Sequence, residues 1–209
     1  MKIVIFIIGM HRCGSSLLTN CLIENGFSIG KTKNKSKNWQ NPNGYFENDK
    51  LTEFHDYLLA YNYSNWLNIK PDKMNYNVEH INKYRMLLQS EFNNEDQIVI
   101  KDPRLTFFVD FLKDVCNNHY NYKFLFLTRN KEECCNSLSK AQNKSYNETS
   151  KLYDRTLNEY NESFLKINHN DIINNNNDTL VKVANFCNFP HIKNTKELVD
   201  YKLYRNRNI

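Results

Sequence analysis

The apolar run "IVIFIIGMHRCGSSLL" breaks at Gly9-Met10-His11-Arg12-Cys13-Gly14-Ser15-Ser16 and then resumes with helical spacing. A loop between a buried strand and a helix N-terminus turns backbone N–H groups toward one point. The helix dipole backs them, which makes an anion site suited to phosphate. Against the pattern GxxxxGK[ST], Gly9 and Gly14 match, but Ser15 falls where the lysine belongs. The later run "FLFLTR" ends in Thr-Arg and offers no carboxylate for magnesium, so a triphosphate would be poorly neutralised. A cysteine phosphatase loop, HCxxGxxR, is also a poor match: His11-Arg12-Cys13 has the wrong order, and Thr19 stands where the arginine would be. What remains is Arg12 beside a loop with two hydroxyls.

Three further segments carry chemically useful residues. "NPNGYFEN" holds Glu47, "IKDPRL" holds Lys101, Asp102 and Arg104, and "LTRNKEECCNSL" holds Arg129 with Ser137 eight positions on. Each residue also has a plainer reading. Glu47 suits the start of a helix, Asp102 caps the segment begun by Pro103, and Arg129 and Ser137 are an ordinary strand-end cation and helix-surface hydroxyl.

Taken in order, these four segments resemble the bacterial-type sulfotransferases of the P-loop-like superfamily. "GMHRCGSSLL" is similar to their 5′-phosphosulfate loop, [PH]-[KR]-S-G-[TS]-[TS]. The resemblance covers residues 1 to 140 well and the rest weakly. It implies 3′-phosphoadenosine 5′-phosphosulfate as co-substrate, no metal, and a small-molecule or carbohydrate hydroxyl as acceptor. It also implies that Cys13, Gly14, Ser15 and Ser16 hold the 5′-phosphate, with Arg12 over the bridging oxygen. Arg129 and Ser137 would bind the 3′-phosphate. Glu47 would be the base, with His55 in reserve, and Lys101 would stabilise charge at the transferred group. Cys13 replaces the family's serine; a helix N-terminus and the adjacent Arg12 are expected to lower its thiol pKa. In the C-terminal third, "HNDII" puts His169 where relatives carry an aromatic residue. His11 is expected to position the loop. The alternatives are a divergent P-loop nucleotide kinase and a non-catalytic nucleotide-binding protein on the same fold.

Four runs read as buried strands that position these residues: "KIVIFIIG", "QIVIK", "YKFLFLTR" and, more weakly, "LKIN". Helical patterns follow at about 15–25, from Leu51 through Leu59, at 78–92, from Pro103 through Val115, through "KEECCNSLSK", at about 150–165 and around Leu180 to Cys187. "NKSYNET" reads as a mobile loop. Alternating strands and helices predict a three-layer α/β fold, a central parallel sheet flanked by helices in the manner of P-loop NTPases, as a single domain over residues 1–209.

Composition agrees with a globular protein. The net charge of +5 suits an anionic ligand but is mild for a nucleic-acid binder. Asparagine makes up about one residue in six, which points to AT-rich coding DNA more than to function. Six cysteines without a CxxC pair argue against a zinc site or a disulfide framework. The apolar start is too brief to span a membrane and meets His11-Arg12 without a small-residue cleavage site, so a cytoplasmic location is expected. The polar loop 31–43 and the helix after Glu47 are expected to form the acceptor pocket, with Trp39, Tyr45 and Phe46 as stacking groups. The tail "YRNR" is a further source of cations. Oligomeric state is not legible.

Overall fold

The computed structural model describes residues 2–31, 44–190 and 195–199. Residues 32–43, with Trp39, and the tail "YRNR" lie outside them.

The chain runs through β1 (Ile3–Gly9), α1 (Ser15–Ile23), α2 (Asp49–Tyr61), α3 (Val78–Phe92), β2 (Gln97–Lys101) and a 3-10 helix (Pro103–Phe108). It continues with α4 (Val109–Cys116), β3 (Asn121–Thr128), α5 (Lys131–Gln142), α6 (Tyr146–Leu157), β4 (Leu165–Asn168), α7 (His169–Ile173) and α8 (Asn177–Cys187). The four apolar runs are the four strands, and all pair in parallel in the order β2-β1-β3-β4. Ile5 stands opposite Val99 on one side and Lys123 on the other. Parallel pairing requires helical crossovers, and these cover both faces of the sheet. Val4 to Ile7 are therefore fully buried as a continuous run rather than an alternating one. Each such side chain contributes about 1.5–3 kcal/mol by leaving water. The result is the expected three-layer α/β architecture.

After β1 the chain first builds β2 on one side, then crosses to build β3 on the other. That reversal leaves a crevice at the carboxyl end of β1, the place where open α/β sheets bind ligands. Gly9, Lys101, Thr128 and Asn168 end the four strands around it.

Helix starts follow local chemistry. Asn48 accepts a hydrogen bond from Leu51 N, and Asn77 forms a capping box with His80. Asp102 accepts from Arg104 N, and Pro103 opens the 3-10 helix that precedes α4. The short α7 was not read from the sequence, and a second element differs from that reading. The expected loop "NKSYNET" is largely the first turn of α6, which begins at Tyr146 and ends at Leu157 rather than running from about 150 to 165. The cause is a capping box: Ser145 accepts from Glu148 N while the Glu148 carboxylate accepts from Ser145 N.

Candidate active site

The loop after β1 is built by close approaches. Gly9 has φ 135, and a Cβ there would lie 2.4 Å from the Leu127 carbonyl oxygen of β3. Its N–H donates to Thr106 Oγ1 at 2.8 Å, which ties the 3-10 helix to the loop. Arg12 is left-handed at φ 66, and Gly14, at φ 88, is the N-cap of α1. A Cβ on Gly14 would lie 2.1 Å from the His169 ring, so that imidazole packs closely against the loop. Burial, aided by the Arg129 charge, holds His169 neutral with its pKa lowered to about 3.

Cys13 does not behave as its position in the loop suggested. Its side chain is buried, and its N–H turns back to the Met10 carbonyl at 3.3 Å. Desolvation outweighs the nearby positive charges and pushes the thiol up to about 11. The expected acidic thiol is thus overturned, because the group points into the core. Ser15 is also buried, and its carbonyl accepts from Thr19 Oγ1. Ser16 Oγ reaches the Tyr45 carbonyl at 3.4 Å.

On the β3 side of the loop, Arg12, Arg129 and Ser137 come together. Arg12 Nε donates to Ser137 Oγ at 3.0 Å, and Arg129 NH1 donates to the Arg12 carbonyl at 3.2 Å. Arg129 is held from behind by Glu133, whose Oε2 lies 2.7 Å from both Nε and NH2. Tyr153 Oη fixes the Arg129 carbonyl at 2.7 Å. The sequence reading missed Glu133, though its place four residues after Arg129 on a helix was an available signal.

On the β2 side, Glu47 precedes α2 and meets Lys101 at the end of β2, Oε1 to Nζ 2.6 Å. Their side chains are 12% and 2% exposed. Burial raises the Glu47 pKa above its ordinary value, against the pull of Lys101. Arg104 stands 4.0 Å from Glu47 Oε2, 2.9 Å from Asp102 and 2.8 Å from Asp56. Burial works against the Asp102 charge, but His55 and Arg104 outweigh it and hold this carboxyl well below the carboxylate range.

His55 was the reserve base, and the structure removes it from that role. It is fully buried, with Nδ1 2.7 Å from Asp102 Oδ2 and Nε2 2.9 Å from Tyr84 Oη. His11 lies in the loop after β1. Burial lowers its pKa to about 3, and it stands within the fields of Asp102, Arg104, Lys101 and Arg12. Its ring lies 4.7 Å from that of Trp66. Nothing in the sequence marked Trp66; it reaches the site from a turn closed by Asn65 and Asn68. Tyr45 lies 6.0 Å from Lys101 Nζ, and Phe46 packs on the core.

No protein-family model matches the sequence, and no curated protein matches it. Solved structures do. The sulfotransferase domain from the Synechococcus PCC 7002 olefin synthase superposes with a TM-score of 0.56 at 13% identity, over 99% of this chain and 83% of that one. The sulfotransferase domain from the curacin biosynthetic pathway gives 0.54 at 15% identity, over 99% and 79%. The fold is that of a sulfotransferase domain. The likeness to this sulfotransferase fold extends over nearly the whole chain, so it takes in the C-terminal third where the sequence resemblance was weak. Among the described residues no helix is long and apolar enough to cross a membrane.

Proposed function

We propose that this protein is a sulfotransferase moving a sulfuryl group from 3′-phosphoadenosine 5′-phosphosulfate to a hydroxyl acceptor, in-line and without metal. One observation carries the reading. The loop at the end of β1 is flanked by a cation–hydroxyl cluster on the β3 side and by the Glu47–Lys101 pair on the β2 side. The N-terminus of α1 opens at this loop, and its dipole suits a 5′-phosphate. Arg129 and Ser137 suit a 3′-phosphate. An anion site at the loop with a second beside it on the β3 side fits a nucleotide phosphorylated at both the 3′ and 5′ positions of its ribose. The kinase alternative is not favoured, because Ser15 replaces the lysine and is buried in α1.

The donor supplies an activated sulfuryl group on its 5′-phosphate. Glu47 takes the acceptor hydroxyl's proton as that oxygen bonds to sulfur and the bond from sulfur to the bridging oxygen breaks. Lys101 offsets negative charge at the transfer point, and the loop N–H groups with Arg12 stabilise the leaving oxygen. In the structure Arg12 rests on Ser137, beside the loop. His11 and Trp66, beside the same residues, suit the wall of a pocket for a small hydroxylated acceptor.

Thermal shift tests the assignment. Adenosine 3′,5′-bisphosphate without magnesium should raise the melting temperature more than ATP with magnesium does. The opposite order would favour the kinase.

A further inference from the structure

Behind Glu47 the core holds a line of polar side chains that no step of the proposed transfer uses. Tyr84, from α3, is fully buried with its hydroxyl 2.9 Å from His55 Nε2. His55, from α2, places Nδ1 2.7 Å from Asp102 Oδ2. Asp102 then accepts from Arg104 NH1 at 3.0 and 2.9 Å and from Arg104 N at 2.9 Å. Finally NH1 stands 4.0 Å from Glu47 Oε2, while Lys101 holds Oε1 at 2.6 Å. Polar groups buried together are costly unless each is bonded, and apolar packing of equal volume is often as stable. The line ends at Tyr84 in the core, so it leads no proton to solvent. Its effect is to fix geometry.

We propose that His55, through Asp102, is a positioning residue for Glu47: it holds Asp102 as the partner of Arg104, which keeps the guanidinium 4.0 Å from the Glu47 carboxylate and so sets that carboxylate's proton affinity. The consequence for turnover rests on Glu47 being the base; the positioning itself does not. The groups facing this cluster come from several elements. Lys101 ends β2, Asp102 and Arg104 follow it, Asp56 reaches Arg104 from α2, and His11 stands over them from the loop. Lys101 and Arg104 favour ionised Glu47, whereas Asp102 opposes it. Removing the Asp102 charge deletes the opposing field and frees Arg104 to turn to Glu47. Both changes lower the Glu47 titration midpoint. Removing the His55 donor leaves Asp102 a buried carboxylate with weaker support, readier to take a proton, and acts in the same direction.

The test is a carbon NMR titration of the Glu47 carboxyl in the free protein. Asp102→Asn should bring the midpoint down by about one pH unit. His55→Leu should move it the same way, and His55→Gln, which keeps an N–H toward Asp102, should restore it. Unchanged midpoints in folded Asp102→Asn and His55→Leu, with only the melting temperatures lowered, would overturn the proposal. If His55→Leu does not fold, Asp102→Asn decides on the same criterion. No nucleotide enters this measurement, so its failure leaves the proposed transfer standing. A protein that titrates as expected yet binds no donor would sink the transfer and keep the positioning.

Discussion

Lys101 Nζ lies 2.6 Å from Glu47 Oε1, and the two side chains come together from segments fifty-four residues apart to form a nearly buried ion pair. The pair gives Glu47 two properties. Burial raises its pKa, and the ammonium keeps its charged form accessible. A base must be ionised, so turnover should rise with pH through a midpoint above the ordinary carboxylate value. Lys101→Met removes the favourable charge and should move that limb to higher pH. Glu47→Gln keeps the shape without the base. Turnover should fall by roughly 10²-fold or more, with nucleotide affinity kept; steady-state kinetics and calorimetry check both.

Arg129 is held on two nitrogens by Glu133 and on a third by the Arg12 carbonyl. Arg129→Ala should weaken adenosine 3′,5′-bisphosphate by about 1.5–3 kcal/mol, the range for a charge-assisted hydrogen bond. Affinity for AMP, which lacks the 3′-phosphate, should change little. Equal losses for both ligands in calorimetry would place Arg129 elsewhere.

Cys13 is buried with its thiol pushed up to about 11. Native protein should therefore resist iodoacetamide at this position near pH 8, with or without nucleotide, as read by mass spectrometry of the peptide. Cys13→Ser keeps an acceptor for the Ser15 backbone N–H and should change stability by about 1 kcal/mol or less. Nucleotide affinity should be unaffected.

Ser145 caps α6 in a reciprocal arrangement with Glu148. Ser145→Ala should destabilise the protein by about 1 kcal/mol in urea unfolding. A change below a few tenths would mean that tertiary contacts alone hold that helix turn.

Much of the fold was legible because its strands are short apolar runs with clear ends. "QIVIK" stops at Asp102-Pro103, and even the four-residue "LKIN" is a strand. The start of α6 was misplaced although Ser145 and Glu148 stood at capping-box spacing, since a polar asparagine-rich stretch masked it. Periodicity placed His55 on the inward face of α2, but burial of a face says nothing of the partners waiting there. Asp102 and Tyr84 arrive from other elements. The contact from Arg12 to Ser137 joins residues 125 apart in the sequence. No spacing encodes it. Cys13 failed for a local reason: in a loop with left-handed residues on either side, the pattern does not tell which way the side chain turns.

In the proposed function the loop and the Arg129–Ser137 cluster together hold a nucleotide phosphorylated at both the 3′ and 5′ positions. Calorimetry of adenosine 3′,5′-bisphosphate against AMP, both without magnesium, measures this most directly. Metal-free binding of the bisphosphate should be at least tenfold tighter than that of AMP, since a charge-assisted contact to the second phosphate is worth roughly 1.5–3 kcal/mol. Equal affinity for the two nucleotides, or binding that needs magnesium, would contradict it.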